Sequence, residues 1–259
     1  MDFFAFGAPK SGTTWLQSIL DAHPDVCCRP EDQLNQFVGL LPDLLERYNR
    51  MREGINERTA QYELTDQFRN SDAAAVFQFI VEIMRRKSQK PIVGTKDNSI
   101  LEALDMYHTM FDEAKFIHIL RDPRDITVSS WHHNMRVEDN FIGRAHNLEE
   151  WALGTAKSWV KVIGTVEAIP DRLMTVRFEG LKANGVAEAK KIFEFLGADT
   201  SKAADCIKKT RFEQMAKKGN KFYRKGKAGA WRELIDEDLA AAMVDIAGEK
   251  MKEYGYVEG

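Results

Sequence analysis

Nine residues near the start of the chain carry its strongest chemical signal: Gly7-Ala8-Pro9-Lys10-Ser11-Gly12-Thr13-Thr14-Trp15. The apolar run Phe3-Phe4-Ala5-Phe6 precedes them, and Leu16, Ile19 and Leu20 follow at helical spacing. A buried strand that passes through a tight loop into a helix leaves backbone N–H groups at the helix start, where the positive end of the helix dipole also lies. That combination is a socket for a phosphate. The glycine spacing is that of a Walker A loop, yet Thr13 stands where that motif needs its lysine, and the lysine sits three residues earlier, as Lys10. The loop is therefore expected to hold a phosphate without being an ordinary ATPase loop.

A second anion site is expected around Arg121. This residue ends the run Lys115-Phe116-Ile117-His118-Ile119-Leu120, and Ser129 lies eight residues further on, about two helical turns away. An arginine fork with a hydroxyl beside it suits a phosphate. A strand-ending arginine equally pairs with a neighbouring carboxylate, and Arg124 in the same turn could pair with Asp122 or Asp125. Near the C-terminus, Arg224-Lys225-Gly226-Lys227-Ala228-Gly229-Ala230-Trp231 follows the basic stretch Lys217-Lys218-Gly219-Asn220-Lys221. Alone, such a segment reads as a solvated loop. In a chain with two anion-binding loops it also reads as a lid over one ligand.

The elements that must position these residues alternate along the chain. Apolar runs predict strands at residues 3–6, 26–29, 91–96, 115–121 and 172–178. Helical spacing predicts helices at about 13–22, 36–50, 72–86, 99–110, 122–131, 148–168 and 187–196, with a polar surface loop over 52–70. This alternation implies an α/β fold of P-loop type, a central parallel β-sheet flanked by helices on both faces, in one domain spanning residues 1–259. Ligands of such sheets bind outside the carboxyl ends of the strands. The loops after Phe6, Lys96, Arg121 and Phe178 would share that edge.

Composition narrows the class further. A net charge of −3 gives no global reason to expect nucleic-acid binding. No apolar run approaches the roughly 20 residues that span a bilayer. The chain enters its first strand without a basic leader or cleavage site, so no signal peptide is expected. Three cysteines, two of them adjacent, do not make a disulfide framework, and a reducing cytoplasm is the expected setting.

The three charged segments together resemble the sulfotransferase family, which uses 3′-phosphoadenosine 5′-phosphosulfate (PAPS). Pro9, Lys10, Ser11, Gly12, Thr13, Thr14 and Trp15 look like that family's loop for the 5′-phosphosulfate. Arg121 with Ser129 is similar to its 3′-phosphate site. Arg224, Lys225 and Gly226, with Gly229 and Trp231, resemble the RKGxxGDW segment of the cytosolic and plant-type branch, with Ala230 in place of the aspartate. Thr210 and Phe212 match the Thr-x-Phe element at the adenine, and Trp15 is either a second adenine wall or core packing. The matches run in family order from residue 7 to residue 231. The resemblance implies a sulfuryl transfer from PAPS to a hydroxyl or amine of a small-molecule, lipid or glycan acceptor, releasing adenosine 3′,5′-bisphosphate, with no metal. Such a transfer is catalysed mainly by positioning and electrostatic stabilisation, and Lys10 would meet charge on the leaving phosphate.

Three departures from the family pattern matter. The cytosolic branch carries a catalytic histidine in a Lys-Thr-His-Leu-Pro segment; here the strand end reads Lys96-Asp97-Asn98, and asparagine is no base. Asp21-Ala22-His23-Pro24-Asp25-Val26, followed by Cys28 and Glu31, looks like the stretch after the phosphate loop in tyrosylprotein sulfotransferases, where a glutamate at the position of Glu31 is the base. The resemblance therefore points to Glu31 as base, with Asp97 as runner-up ahead of Asp32 and His23, and to Lys96 as support for the transferring group. Phe178 stands where the cytosolic branch has a tyrosine beside the nucleotide, so one hydrogen bond is expected to be missing. No dimer motif follows Trp231, which leaves oligomeric state open. The acceptor is expected against residues 33–50, 61–86 and 134–147, with Phe37, Leu40, Leu41, Tyr48, Phe68, Phe77, Phe79 and Phe141 either lining an apolar pocket or forming core. His118 is expected to be structural, and His132 and His133 either line the acceptor pocket or lie exposed at a helix end.

Overall fold

A computed structural model describes residues 1–59, 67–137, 147–169, 171–210 and 228–258. Five parallel strands run in the order β2-β3-β1-β4-β5: β1 (Phe3–Phe6), β2 (Val26–Arg29), β3 (Ile92–Lys96), β4 (Lys115–Leu120) and β5 (Leu173–Arg177). The wholly apolar β1 takes the centre, where all four of its residues are buried. It pairs with β3 in the register Phe4↔Thr95 and with β4 in the register Phe6↔His118, so the loops after β1, β3 and β4 emerge together.

Each face of the sheet has its own core. On one side α1 (Thr13–Asp21), α7 (Phe178–Leu196) and α8 (Ala203–Lys209) bury Leu16, Ile19, Phe193 and Cys206 against Phe3, Ala5 and Ile117. On the other, α2 (Asn35–Thr59), α3 (Asn70–Arg86) and α4 (Leu104–Met110) pack Leu41, Phe77 and Tyr107 on Phe4, Phe6 and Phe116. A third cluster joins α5 (Pro123–Val137), α6 (Leu148–Glu167) and α9 (Glu237–Glu253) around Trp159 and Met243. Burying each such aromatic or aliphatic side chain contributes about 1.5–3 kcal/mol against exposure. Among the described residues no helix is long and apolar enough to cross a membrane.

The expected helices and parallel strands are present, with three differences. Residues 52–59, expected in a loop, continue α2 through Gly54, whose carbonyl accepts from Arg58 Nε at 2.7 Å. Phe178 is not the end of β5 but the first residue of α7. The element after Lys96 begins as a 3-10 turn (Asn98–Ala103), because Asp97 caps it by accepting from the Ser99 amide at 3.0 Å. Helices α8 and α9 lie in stretches for which no element was predicted; Asp236 caps α9 by accepting from the Leu239 amide at 2.8 Å.

Candidate active site

The carboxyl edge of the sheet opens into a cavity of about 1080 Å3, lined by the loop after β1, by Glu31 and Asn98, by Arg121, and by α5 and α6. The first loop is shaped by its own hydrogen bonds. Ser11 donates its amide to Ala8 O at 3.1 Å and its hydroxyl to the same oxygen at 2.6 Å, which curls the chain into α1. Gly12 sits at φ 103° with the Phe178 ring where a Cβ would project, so a side chain there would be both strained and overlapped. A glycine N-cap offers no side-chain acceptor and the first turn carries no acid, so the positive end of α1 faces the cavity uncompensated. Lys10 itself takes φ 70°, a left-handed conformation. Burial, and then the charge of Arg136, pull its ammonium below the ordinary lysine value.

Arg121 lies at the end of β4 and reaches back to this loop. Its Nη1 donates to Lys10 O at 3.0 Å, its guanidinium lies 4.5 Å from the Phe178 ring centroid, and Nη2 is 3.7 Å from Asp125 Oδ2. Burial pulls it down from the usual arginine range, offset by Asp125, Glu179 and Asp122. The neighbouring Arg124 is spent differently. It forms a buried pair with Asp122 at 2.7 Å, stacks 4.2 Å over Trp231 and donates to Tyr256 O. Asp122 is therefore Arg124's partner, which leaves Arg121 turned to the cavity with Ser129 one helix face further on.

Sequence reasoning offered Asp125 only as a partner for Arg124, and the structure gives it another role. Its two carboxylate oxygens accept the backbone N–H groups of Gly229 and Trp231, each at 2.9 Å. Burial raises this carboxyl, with Arg121 as the main opposing influence. The clasp fixes the 3-10 turn Ala230–Glu233 at the cavity rim, where Ala230 contributes to the wall. An Asp within a charged turn carries no local signal for a contact made 104 residues later.

At the other end of the cavity Glu31 follows β2. Its Oε1 accepts from Lys96 Nζ at 2.5 Å; the lysine is buried and the carboxylate half exposed, so the acid faces the opening. Asp97, the runner-up base, is elsewhere. Its oxygens accept from the Leu34 amide, the Ser99 amide and the Ser99 hydroxyl, and it lies outside the cavity lining. A carboxylate with its lone pairs so committed serves the fold. Asn98 does reach the wall, with Oδ1 buried and without a hydrogen-bond partner.

With this geometry in view, the chain was compared with known proteins. A model of the sulfotransferase family matches residues 2–202. The chain belongs to the sulfotransferase family. Human protein-tyrosine sulfotransferase 1 is 30% identical over 122 residues, 47% of this chain and 31% of that protein. Cytosolic sulfotransferase 16 of Arabidopsis thaliana is 25% identical over an alignment of 290 positions that covers 99% of this chain and 78% of that one. The chain spans about a third of the length of the tyrosine sulfotransferases it matches. Mouse sulfotransferase SULT7A1, solved in complex with PAP, superposes at a TM-score of 0.65 with 20% identity, over 98% of this chain and 88% of that one, which establishes the shared fold.

In this chain the structure brings Pro9, Lys10, Gly12, Thr13, Thr14, Trp15, Glu31, Arg121, Ser129 and Phe178 to one cavity. Ser11 braces the loop from within, and Lys96 reaches the cavity only through Glu31. Thr210 is buried: its hydroxyl donates to Cys206 O and its carbonyl accepts the Trp15 indole N–H at 3.1 Å, so it orients Trp15 from behind. Phe212, Arg224, Lys225 and Gly226 lie outside the described residues, as does Phe141. His23 is structural, accepting from the Asp25 amide at Nδ1, which places the proton on Nε2 facing Asp199 O. His132 and His133 line the cavity beside Trp151 and Ser158. The apolar residues of α2, of α3 and of the segment just before α3 do not: Leu41 and Phe77 are core, while Phe37, Leu40, Tyr48, Phe68 and Phe79 are exposed.

Proposed function

We propose that this cavity moves the sulfuryl group of PAPS to a hydroxyl or amine of a small-molecule, lipid or glycan acceptor and releases adenosine 3′,5′-bisphosphate. The observation that carries the reading is the convergence on one cavity of the uncompensated α1 N-terminus, Lys10, and the Arg121–Ser129 pair. A PAPS molecule has two anionic ends, and the residues present suit both. The first-turn amides and Lys10 receive the 5′-phosphosulfate; Arg121 and Ser129 receive the 3′-phosphate, with Trp15 and Phe178 beside the purine.

In the reaction, oxygen or nitrogen of the acceptor bonds to sulfur as the bond from sulfur to the bridging oxygen breaks. The electron pair of that bond goes to the bisphosphate, where the partly desolvated Lys10 ammonium stabilises the growing charge. Glu31 takes the acceptor's proton, and Lys96 holds its carboxylate toward the opening. Asp97 keeps the 3-10 turn in place and thereby positions Asn98. The protein works in the cytoplasm on this reading.

Binding of adenosine 3′,5′-bisphosphate against magnesium ATP, measured by calorimetry, tests the assignment; preference for ATP overturns it. Turnover of PAPS over an acceptor panel separates an enzyme from a protein that only holds the nucleotide, a reading that Asn98 and Ala230 permit and Lys10, Arg121 and Ser129 oppose. Glu31→Gln should remove the limb of the pH–rate profile that rises with pH, and an unchanged profile would take the base role from Glu31.

A further inference from the structure

Helix α2 is apolar on two adjacent arcs, and the fold uses one. Leu34, just before the helix, and Leu41 are buried against the sheet, with Val38 and Leu45 partly so. At about 100° per residue, Phe37, Leu40, Leu44, Tyr48, Met51 and Ile55 fall within a second arc of about 80°, exposed by 39% at Phe37 to 65% at Leu40. None of the six lines the cavity. The helix is firmly placed, because Asn49 exchanges two hydrogen bonds with the backbone of Phe68, at 2.8 and 2.9 Å.

We propose that this stripe is the contact between two copies of the chain, joined as an antiparallel pair of α2 helices about a two-fold axis near Arg47 and Tyr48. Three observations select this occupant. A two-fold interface must be self-complementary, and the stripe is close to a palindrome: Leu40 and Leu44 precede Tyr48 by eight and four residues, and Met51 and Ile55 follow it by three and seven. Reversed on itself, Leu44 meets Met51 and Leu40 meets Ile55. The charges alongside are balanced, Asp43, Glu46, Glu53 and Glu57 against Arg47, Arg50, Arg52 and Arg58. A helix built for an anionic membrane carries an excess of Lys and Arg on its polar face; this one suits another copy of itself. The area is also sufficient. At roughly 200 Å2 per large side chain, half exposed, the stripe presents about 600 Å2, and two copies bury about 1,200 Å2, within the range of specific interfaces.

Sedimentation equilibrium of the intact chain decides the matter. The wild type should be a dimer at about 10 µM, and the double variant Leu44→Glu, Met51→Glu a monomer with an unchanged far-ultraviolet circular dichroism spectrum. Should that variant not fold, Leu44→Ala should weaken the dimer at least tenfold. The axis is tested separately: under mild oxidation Tyr48→Cys should form a disulfide-linked dimer, and Phe37→Cys, far from the axis, should not. A wild type monomeric up to 100 µM overturns the proposal, as does a dimer that both stripe variants leave intact. Sedimentation of a monomeric wild type with phosphatidylserine vesicles would assign the stripe to a lipid surface instead.

Discussion

The turn after β4 and the surface of α2 invert the usual placement of side chains, in opposite senses. In the turn, Arg121, Asp122, Arg124 and Asp125 are all buried. Along α2, six large apolar side chains face water. The turn tolerates its burial because partners are present: Asp122 takes Arg124, Asp125 takes two backbone N–H groups, and Glu179 accepts the Asp122 amide. Buried charge without such partners costs several kcal/mol per group. The helix keeps its apolar stripe at the surface, where Tyr48 meets the Phe68 ring at 5.4 Å and Leu40, Leu44 and Met51 stay more than half exposed. The difference teaches where to look for function: the paired interior charge lies beside the cavity, and the exposed apolar surface of α2 is where the proposed contact between copies lies.

Four measurements break or sharpen that contrast. The largest effect belongs to Lys10→Ala, which should lower kcat by about 10^3-fold while bisphosphate binding changes modestly, as expected for a cation that meets charge chiefly in the transition state. Leu44→Ala in parallel should leave kcat unchanged, and equal losses in the two would erase the distinction. Arg121→Ala should weaken adenosine 3′,5′-bisphosphate by roughly 2–4 kcal/mol in calorimetry, because it removes a charged partner from a largely desolvated site.

Asp125→Ala leaves two N–H groups without their acceptor and removes the carboxylate 3.7 Å from Arg121, and should cost about 2–3 kcal/mol of stability in urea unfolding. An unchanged midpoint would show that the clasp to Gly229 and Trp231 is dispensable. The smallest effect sharpens the rule about pairing. His118 is buried on the Phe6 ring with neither nitrogen hydrogen-bonded, and burial pulls it down from 6.5 to about 3. Between those values the unfolded chain binds more protons than the folded one, so stability present above pH 6.5 is lost as the pH falls toward 3. At pH 5 this amounts to about 2 kcal/mol. His118→Phe should therefore flatten the acid side of the stability–pH curve, and a slope equal to that of the wild type would count against the shift.

Much of the architecture was legible because it rests on local signals. The strands at Phe3–Phe6, Val26–Arg29 and Lys115–Leu120 are short apolar runs between turns, and the alternation of strands and helices allows little besides a parallel sheet. The first loop was legible for the same reason, since glycine spacing and a following helix determine a tight turn into α1 by themselves. Errors fell where tertiary context outweighs pattern. Residues 52–59 look polar enough for a loop, yet α2 carries them on because Asn49 and Phe68 dock its second half.

By itself, then, the order of residues determined the fold class, the phosphate loop with Lys10, and the strand end with Arg121 and Ser129, because each depends on neighbours a few positions apart. Only the tertiary structure decided where each carboxylate lies and what it is bonded to. Glu31 and Asp97 look alike in one dimension, but Lys96 holds the first at the cavity mouth and the Leu34 and Ser99 amides commit the second to the fold. It also decided that Asp125 clasps a turn 104 residues away and that the apolar side chains of α2 point outward. These are contacts between distant segments, set by how the sheet brings loop ends together, and nothing in the local pattern of residues encodes them.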